Sequence, residues 1–137
     1  MGRNIGAGVA GVIVAFLLVA VVEKIGHTVY PVPEGLDFAD PVAMRDYIAV
    51  LPIGALLFVA AAWLIGAAGG TCTACAIGTA RPLIFALVVG GLVFIAASVN
   101  LFMIPHPIWF SIVGLIGIVI GAGLGTMCKR ATAGNSA

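Results

Sequence analysis

Three long stretches of this chain contain no Asp, Glu, Lys or Arg, and they limit its fold more than any motif does. They cover residues 5–22, 47–80 and 82–128. A soluble domain covers its surface with about 25% charged residues, but here only 8% of the residues are charged and 63% are hydrophobic. With so little charge the chain cannot present water-facing surface on all sides. We therefore expect lipid to be its main solvent.

The lengths of these stretches predict four membrane-spanning helices. A helix rises about 1.5 Å per residue and the bilayer core is about 30 Å thick, so one crossing takes about 20 residues. Pro105 and Pro107 divide the stretch 82–128 into two crossings, because two prolines so close cannot lie inside a regular helix. Pro52 is expected as a kink inside the second span. The predicted spans are about 5–30, 44–70, 82–103 and 107–128.

These spans predict an all-α fold, an integral membrane four-helix bundle that occupies residues 1–130 and is followed by a short disordered tail over 131–137. The start of the chain resembles a signal peptide. However, its charge-free run 5–22 is longer than the core of a signal peptide, about 7–15 residues, and no convincing small-x-small cleavage site follows that run before Glu23. We expect a retained span.

One longer outer loop is predicted between the first and second helices. Pro31 and Pro33 end the first helix, because proline lacks the amide donor and biases the residue before it toward extended geometry. Asp40 is expected to cap the next helix, with Pro41 at its first position.

Small and aromatic residues predict how the helices pack. Glycines at four-residue spacing allow close approach of two helix backbones. This spacing occurs at Gly2 and Gly6, and again at Gly117, Gly121 and Gly125. Trp63 lies deep in its span and is expected to pack between helices. Aromatic residues near the outer surface are typical of the aromatic belts of membrane proteins, and here they are Tyr30, Tyr47 and Trp109.

The distribution of charge predicts the orientation. Four crossings place both termini and the second loop on one side of the membrane. That side carries basic residues and no acid, whereas the opposite side carries all five acids. Because Lys and Arg stay on the cytoplasmic side, both termini are expected to be cytoplasmic. The basic residues on that side are Arg3, Arg81, Lys129 and Arg130.

Four polar residues that are far apart in sequence are predicted at similar depth near the outer surface: Glu23 and His27 at the end of the first span, Asn100 near the end of the third, and His106 in the hairpin that follows it. Glu23 and His27 are four residues apart and share a helix face. With His106 they supply the two-histidine, one-carboxylate set of catalytic zinc, and Asn100 would orient a ligand from nearby. A proton-handling site fits equally, because His titrates near neutral pH and acids within spans mark ion pathways. Hydrogen bonding to each other and to lipid headgroups explains the same residues without any chemistry.

Cysteines form a second candidate site, on the cytoplasmic side. Cys72 and Cys75 form a C-x-x-C pair, and Cys128 is predicted at the same depth. Such a thiol pair serves as a redox couple or as half of a zinc site. Against a redox role, the cytoplasm keeps thiols reduced, and no thioredoxin-like strand–helix pattern surrounds the pair. Cysteine is also simply a small residue that is compatible with lipid.

The motifs Glu23-x-x-x-His27, Pro31-x-Pro33 and Pro105-His106-Pro107-x-Trp109 resemble those of small uncharacterised four-span proteins of bacterial inner membranes. That resemblance covers nearly the whole chain and implies a compartment, the inner membrane, without implying an activity. The size also resembles that of the small multidrug-resistance exporters. Those exporters place an essential acid mid-membrane in the first helix, whereas Glu23 lies near the end of that helix.

Three hypotheses for the function remain open. The first is a non-enzymatic bundle that self-associates or accompanies a larger membrane complex, because small residues are abundant and no polar path crosses the spans. The second is a metal-binding protein or metal-dependent membrane enzyme, with a divalent metal such as zinc at Glu23, His27 and His106. The third is a proton-coupled carrier of small hydrophobic cations. A net charge of +1 without a basic stripe argues against nucleic acid as a partner.

Overall fold

The computed structural model describes residues 1–128, and all regular secondary structure within them is helical. The helices are α1 (Gly2–Val29), α2 (Pro41–Val50), α3 (Ile53–Ile77), α4 (Pro82–Phe85), α5 (Gly91–Met103) and α6 (Ile108–Gly125), and a π-helical turn, Ala86–Gly90, joins α4 to α5. Four helices are long and apolar enough to cross a membrane: Gly2–Val29, Ile53–Ile77, Pro82–Met103 and Ile108–Gly125. The protein is therefore all-helical with four candidate spans, as its apolar stretches predict. The predicted tail 131–137 lies outside the described residues.

The second span differs from the expected range 44–70 at both ends. Pro52 does not kink a helix; it separates the short helix α2 from α3, and Leu51 (φ −68°, ψ 131°) and Pro52 (φ −58°, ψ 143°) are both extended. A residue before proline avoids helical geometry, and here that preference prevails. At the other end, α3 continues past Gly70 because that glycine packs closely on α1. A Cβ atom at Gly70 would lie 2.5 Å from the Gly11 carbonyl oxygen.

Helix α2 begins as its sequence predicts. The Asp40 carboxylate accepts a hydrogen bond of 2.9 Å from the Val42 amide, and Pro41 occupies the first turn, where its missing N–H costs nothing. Its 10 residues are too few to span a bilayer. Met44 and Ile48, one turn apart, are buried, whereas Val42 and Val50 are exposed. Helix α2 therefore covers one end of the bundle with a single apolar face.

Helix α3 lies at the centre of the bundle and packs against α1 on one side and α6 on the other. The α3–α6 contact uses the predicted glycines: a Cβ atom at Gly125 would lie 2.5 Å from the Ala68 carbonyl oxygen, and Gly121 is equally tight against Leu64. Gly2 and Gly6 make no such contact within the chain, because nothing lies within 4 Å of a Cβ atom at either position. Four-residue spacing shows that glycines share one face of a helix, but it does not show whether that face is turned toward a neighbouring helix.

The end of the bundle that carries both Arg3 and Arg81, called the basic end here, is closed by polar contacts. Arg3 Nε donates a hydrogen bond of 2.8 Å to the carbonyl oxygen of Ile77, the last residue of α3. The Asn4 side-chain oxygen accepts hydrogen bonds from the amides of Thr79 (2.8 Å) and Ala80 (3.1 Å). The start of α1 therefore fixes the connection between α3 and α4.

Candidate functional site

A cavity of about 200 Å³ lies at the opposite end of the bundle, beneath α2. Helix α1 contributes Glu23 and His27 to its wall, α5 contributes Asn100, and the connection between α5 and α6 contributes His106. Apolar residues of α2 and α3 line much of the remainder, among them Met44, Ile48, Leu51, Ala55, Leu56 and Val59. The structure thus brings all four polar residues singled out in the sequence to the wall of one cavity.

Glu23 links α1 to the central helix. Its carboxylate interacts with the Trp63 indole, a hydrogen-bond donor on α3, and electrostatically with the imidazole of His27, one turn further along α1. Trp63 is only 5% exposed, so it packs between helices as predicted. Its interaction with Glu23 was not predicted, because the sequence does not give the rotation of α3 about its axis.

An aromatic stack connects Trp63 to His106. The Trp63 and Phe110 ring centroids are 5.5 Å apart, and the Phe110 and His106 centroids are 4.9 Å apart at an interplanar angle of 24°. Phe110 is fully buried, so it fixes both neighbours. Glu23 and His106 are therefore connected through Trp63 and Phe110 by a continuous set of side-chain interactions.

His106 is held in its neutral form. Its Nδ1 atom lies 2.8 Å from the Ile104 carbonyl oxygen, an acceptor only, so Nδ1 carries the proton and Nε2 remains an acceptor. Burial lowers the pKa of His106 below its ordinary value, and the backbone hydrogen bond to Ile104 partly opposes that shift. The imidazole therefore contributes no positive charge to the cavity at neutral pH.

Four further aromatic residues line the cavity: Tyr30, Phe38, Tyr47 and Phe58. The Tyr30 and Phe58 rings meet edge to face, with centroids 6.1 Å apart and an interplanar angle of 68°. The Tyr30 hydroxyl lies against Gly54, where any larger side chain would collide with it. The sequence placed Tyr30 and Tyr47 in a lipid-facing belt. The only sequence feature that fits this packing is the glycine at the start of α3, which leaves space for an aromatic ring against that helix.

The three proposed zinc ligands share the cavity without forming a metal site. Among residues 1–128 there is no group of three or more His, Cys, Asp or Glu side chains that could hold a metal ion. Glu23 is instead paired with Trp63, and His106 with Ile104. The zinc hypothesis thus gains no support from the geometry of Glu23, His27 and His106.

The cysteines lie at the basic end, away from the cavity. Cys72 is disulfide-bonded to Cys128 and not to Cys75, with Cα atoms 5.4 Å apart. Cys75, 2% exposed, directs its Sγ atom to the Pro82 carbonyl oxygen at 3.9 Å. The C-x-x-C spacing thus identified one member of the observed bond, and the other is Cys128, which is 56 residues away in sequence and was predicted at the same depth.

Comparisons of the chain with family models, curated proteins and solved structures gave no match. The case for a function therefore comes from the cavity and its surroundings.

Proposed function

We propose that this protein is a small multi-pass membrane protein that acts by binding a small molecule in the cavity beneath α2, and that it is not an enzyme. One observation carries the proposal: α1, α5 and the α5–α6 connection each deliver polar side chains to a single cavity with otherwise apolar walls. A concave, mostly apolar pocket with a few convergent polar groups is the usual form of a small-molecule site.

The composition of the wall favours binding over catalysis. No Ser, Thr, Cys or Lys is among the described residues that line the cavity, so its wall offers no aliphatic hydroxyl, thiol or amine nucleophile. The Nδ1 proton of His106 is committed to the Ile104 carbonyl. The remaining polar groups are suited to orienting a ligand.

The packing of the bundle favours binding over transport. Below the cavity, the centre of the bundle is filled by the buried side chains of Phe110, Ile118 and Val89, each at most 1% exposed. At the far end, Arg3 and Asn4 are hydrogen-bonded to the α3–α4 connection. A route through the protein would require these contacts to separate.

We propose that a second copy of the chain is the partner within the membrane. A groove of about 360 Å³ runs between the third span, Pro82–Met103, and α6, and the small residues that line it include Gly90, Gly91, Ala122 and Gly123. Nothing lies within 4 Å of a Cβ atom at Gly91 or Gly123. Small residues on an open helix face allow another helix to approach closely. Replacing Gly91 and Gly123 together by Leu should abolish a dimer seen by crosslinking in native membranes, and an unchanged dimer would exclude this face.

We further propose that the chain lies in a bacterial inner membrane with both termini cytoplasmic. The support is the charge asymmetry across the four spans. Fusion of a reporter that is active only in the cytoplasm to either terminus should give signal, whereas insertion of the same reporter after Glu34 should not. The reverse pattern would overturn the orientation.

Binding in the cavity is tested by filling it. Ala55 lines the cavity and is 9% exposed, so Ala55→Phe should occupy the space of a ligand. Ala61, exposed on the same helix, is a matched control. A thermal-shift screen of small molecules, with native mass spectrometry of the purified protein, should find molecules that bind the wild type and Ala61→Phe but not Ala55→Phe. If no molecule distinguishes Ala55→Phe from the wild type, the cavity is not a binding site.

A further inference from the structure

We propose that the ligand of this cavity is a small organic cation, an alkylated ammonium, held between the Glu23 carboxylate and an aromatic wall. This inference rests on the proposed function and adds the chemical class of the ligand. Three independent properties of the cavity support it: its charge, its aromatic content and its size.

The charge of the cavity is that of one carboxylate. Of the described residues that line it, only Glu23 carries a formal charge, and neither Lys24 nor Arg45 is among them. A half-buried carboxylate in apolar surroundings is costly unless a positive charge or hydrogen bonds compensate it. Both Trp63 and the imidazole of His27 interact with this carboxylate. However, His27 is exposed and burial favours the neutral form of His106. A monocation in the cavity would compensate Glu23 more completely.

The aromatic content of the wall suits an ammonium in particular. Trimethylated and other alkylated ammonium groups bind between aromatic rings, because the ring faces are electron-rich and the cation is only weakly hydrated. Four aromatic side chains line the cavity: Tyr30, Phe38, Tyr47 and Phe58. Tyr30 and Phe58 already stand nearly at right angles to each other, as two walls of such a cage do. A metal cation would gain little from these rings and would need several oxygen or nitrogen ligands instead.

The size of the cavity limits the cation to a small molecule or headgroup. A cavity of about 150 Å³ holds one benzene molecule, and this one measures about 200 Å³. An ammonium with three methyl groups and a short polar arm fits such a space. Asn100, at the wall, supplies an amide donor and acceptor for the polar arm. The ligand is therefore either a free alkylammonium ion or the headgroup of a lipid that carries one.

Two molecules of nearly the same shape, one cationic and one neutral, test whether the cavity recognises a positive charge. Choline and 3,3-dimethylbutan-1-ol differ mainly in that a quaternary nitrogen replaces a quaternary carbon. Binding of each to the protein in phosphatidylglycerol nanodiscs is measured by calorimetry. We expect choline to bind at least tenfold more tightly than the neutral alcohol, and Glu23→Gln to remove most of that preference. Equal binding of the two, or no binding of choline, overturns the inference.

Matched variants separate the cavity from general surface charge and from misfolding. Glu34→Gln removes an exposed carboxylate outside the cavity and should leave the preference for choline intact. Tyr47→Leu should weaken choline binding about tenfold, whereas Tyr47→Phe, which keeps the ring, should not. If Glu23→Gln fails to fold, the Tyr47 pair still decides the question: equal affinities for Tyr47→Leu and Tyr47→Phe overturn the inference.

Lipid composition distinguishes the two sources of the ammonium. If the ligand is a lipid headgroup, replacing phosphatidylglycerol by phosphatidylcholine should reduce the apparent affinity for free choline. If the ligand is free in solution, the affinity should not change, and either result supports an ammonium site. Failure of the inference is also separable from failure of the proposed function. A neutral or anionic molecule that binds the wild type but not Ala55→Phe would overturn the cation and keep the binding site.

Discussion

The disulfide between Cys72 and Cys128 joins the last turns of α3 to the end of α6, with Cα atoms 5.4 Å apart. It lies at the basic end, which we propose on the basis of the charge asymmetry to be cytoplasmic. Disulfides are rare in that compartment, where those that form are usually transient or redox-sensing. The bond and the proposed orientation therefore make a joint prediction about the state of these thiols in cells.

We expect Cys72 and Cys128 to be mostly thiols in growing cells and to form the bond when the cytoplasm is oxidised. Thiols trapped with a membrane-permeable maleimide before lysis should be labelled at both positions, and diamide treatment should instead give a linked peptide. Cys75→Ser should leave the link intact, whereas Cys72→Ser should abolish it. A fully linked peptide from untreated cells would contradict the cytoplasmic placement of this end. Once formed, a link over 56 residues stabilises by at most about 4 kcal/mol, because the unfolded chain retains helices in the membrane.

Thr71 gives a second prediction, on stability. Its hydroxyl is fully buried and has no hydrogen-bond partner among residues 1–128. Thr71→Val replaces this hydroxyl by a methyl group of similar shape, so it removes the cost of burying an unsatisfied polar group. We expect the variant to be more stable by about 1 kcal/mol, measured as the free energy of unfolding in sodium dodecyl sulfate. Thr73→Val is the control and should show no such gain in stability, because the Thr73 hydroxyl donates to the Gly69 carbonyl at 2.9 Å. A loss of stability in Thr71→Val would show that its hydroxyl is satisfied in the folded protein.

Much of this fold follows from the sequence. The parts that could not be predicted have one common cause. Charge-free length and prolines predicted four candidate spans and the α5–α6 connection, and Asp40 with Pro41 predicted the start of α2. The rotation of each helix about its axis was beyond reach, because nearly every position of a span is apolar and no amphipathic pattern marks the buried face. Because of that ambiguity, the sequence did not show that Gly2 and Gly6 make no close contact within the chain. The same ambiguity also hid the pairing of Cys72 with Cys128.

The sequence predicted how far along each span the residues of the candidate site lie, but it did not predict their side-chain contacts. Counting residues from the ends of each span placed Glu23, His27, Asn100 and His106 near one surface, and the structure places them around one cavity. The sequence could not show that Trp63 interacts with Glu23, since the two residues lie on different helices. Nor could it show that α2 is a separate helix covering the cavity, because both outcomes at Pro52, a kink or a break, are compatible with an apolar span.

The α3–α6 contact gives a third prediction, from two glycines of α6 that are four positions apart. A Cβ atom at Gly121 would collide with the Leu64 backbone, which cannot move without displacing α3, whereas one at Gly117 would make only ordinary contacts, at 3.8 Å or more. We expect Gly121→Ala to lower the free energy of unfolding by about 1–3 kcal/mol, the usual cost of overpacking. Gly117→Ala should be neutral or slightly stabilising, because alanine favours the helix. Similar effects of the two variants would show that α6 is rotated relative to this arrangement.

His106 gives the last prediction, on pH. Burial lowers the pKa of His106 in the folded protein below the ordinary value of 6.5, so the unfolded chain binds a proton more readily than the folded one does. The stability that His106 contributes in its neutral form is therefore fully present above about pH 6.5. It is lost as the pH falls through the pKa of His106 in the folded protein, which is the lower of the two values. Unfolding measured from pH 7.5 to pH 4.5 should show a loss of stability on acidification that is smaller in His106→Gln. His27→Gln, which alters the exposed imidazole of the same cavity, should keep the wild-type contribution of His106. An identical acid response in His106→Gln and the wild type would show that His106 is free to take up a proton in the folded protein.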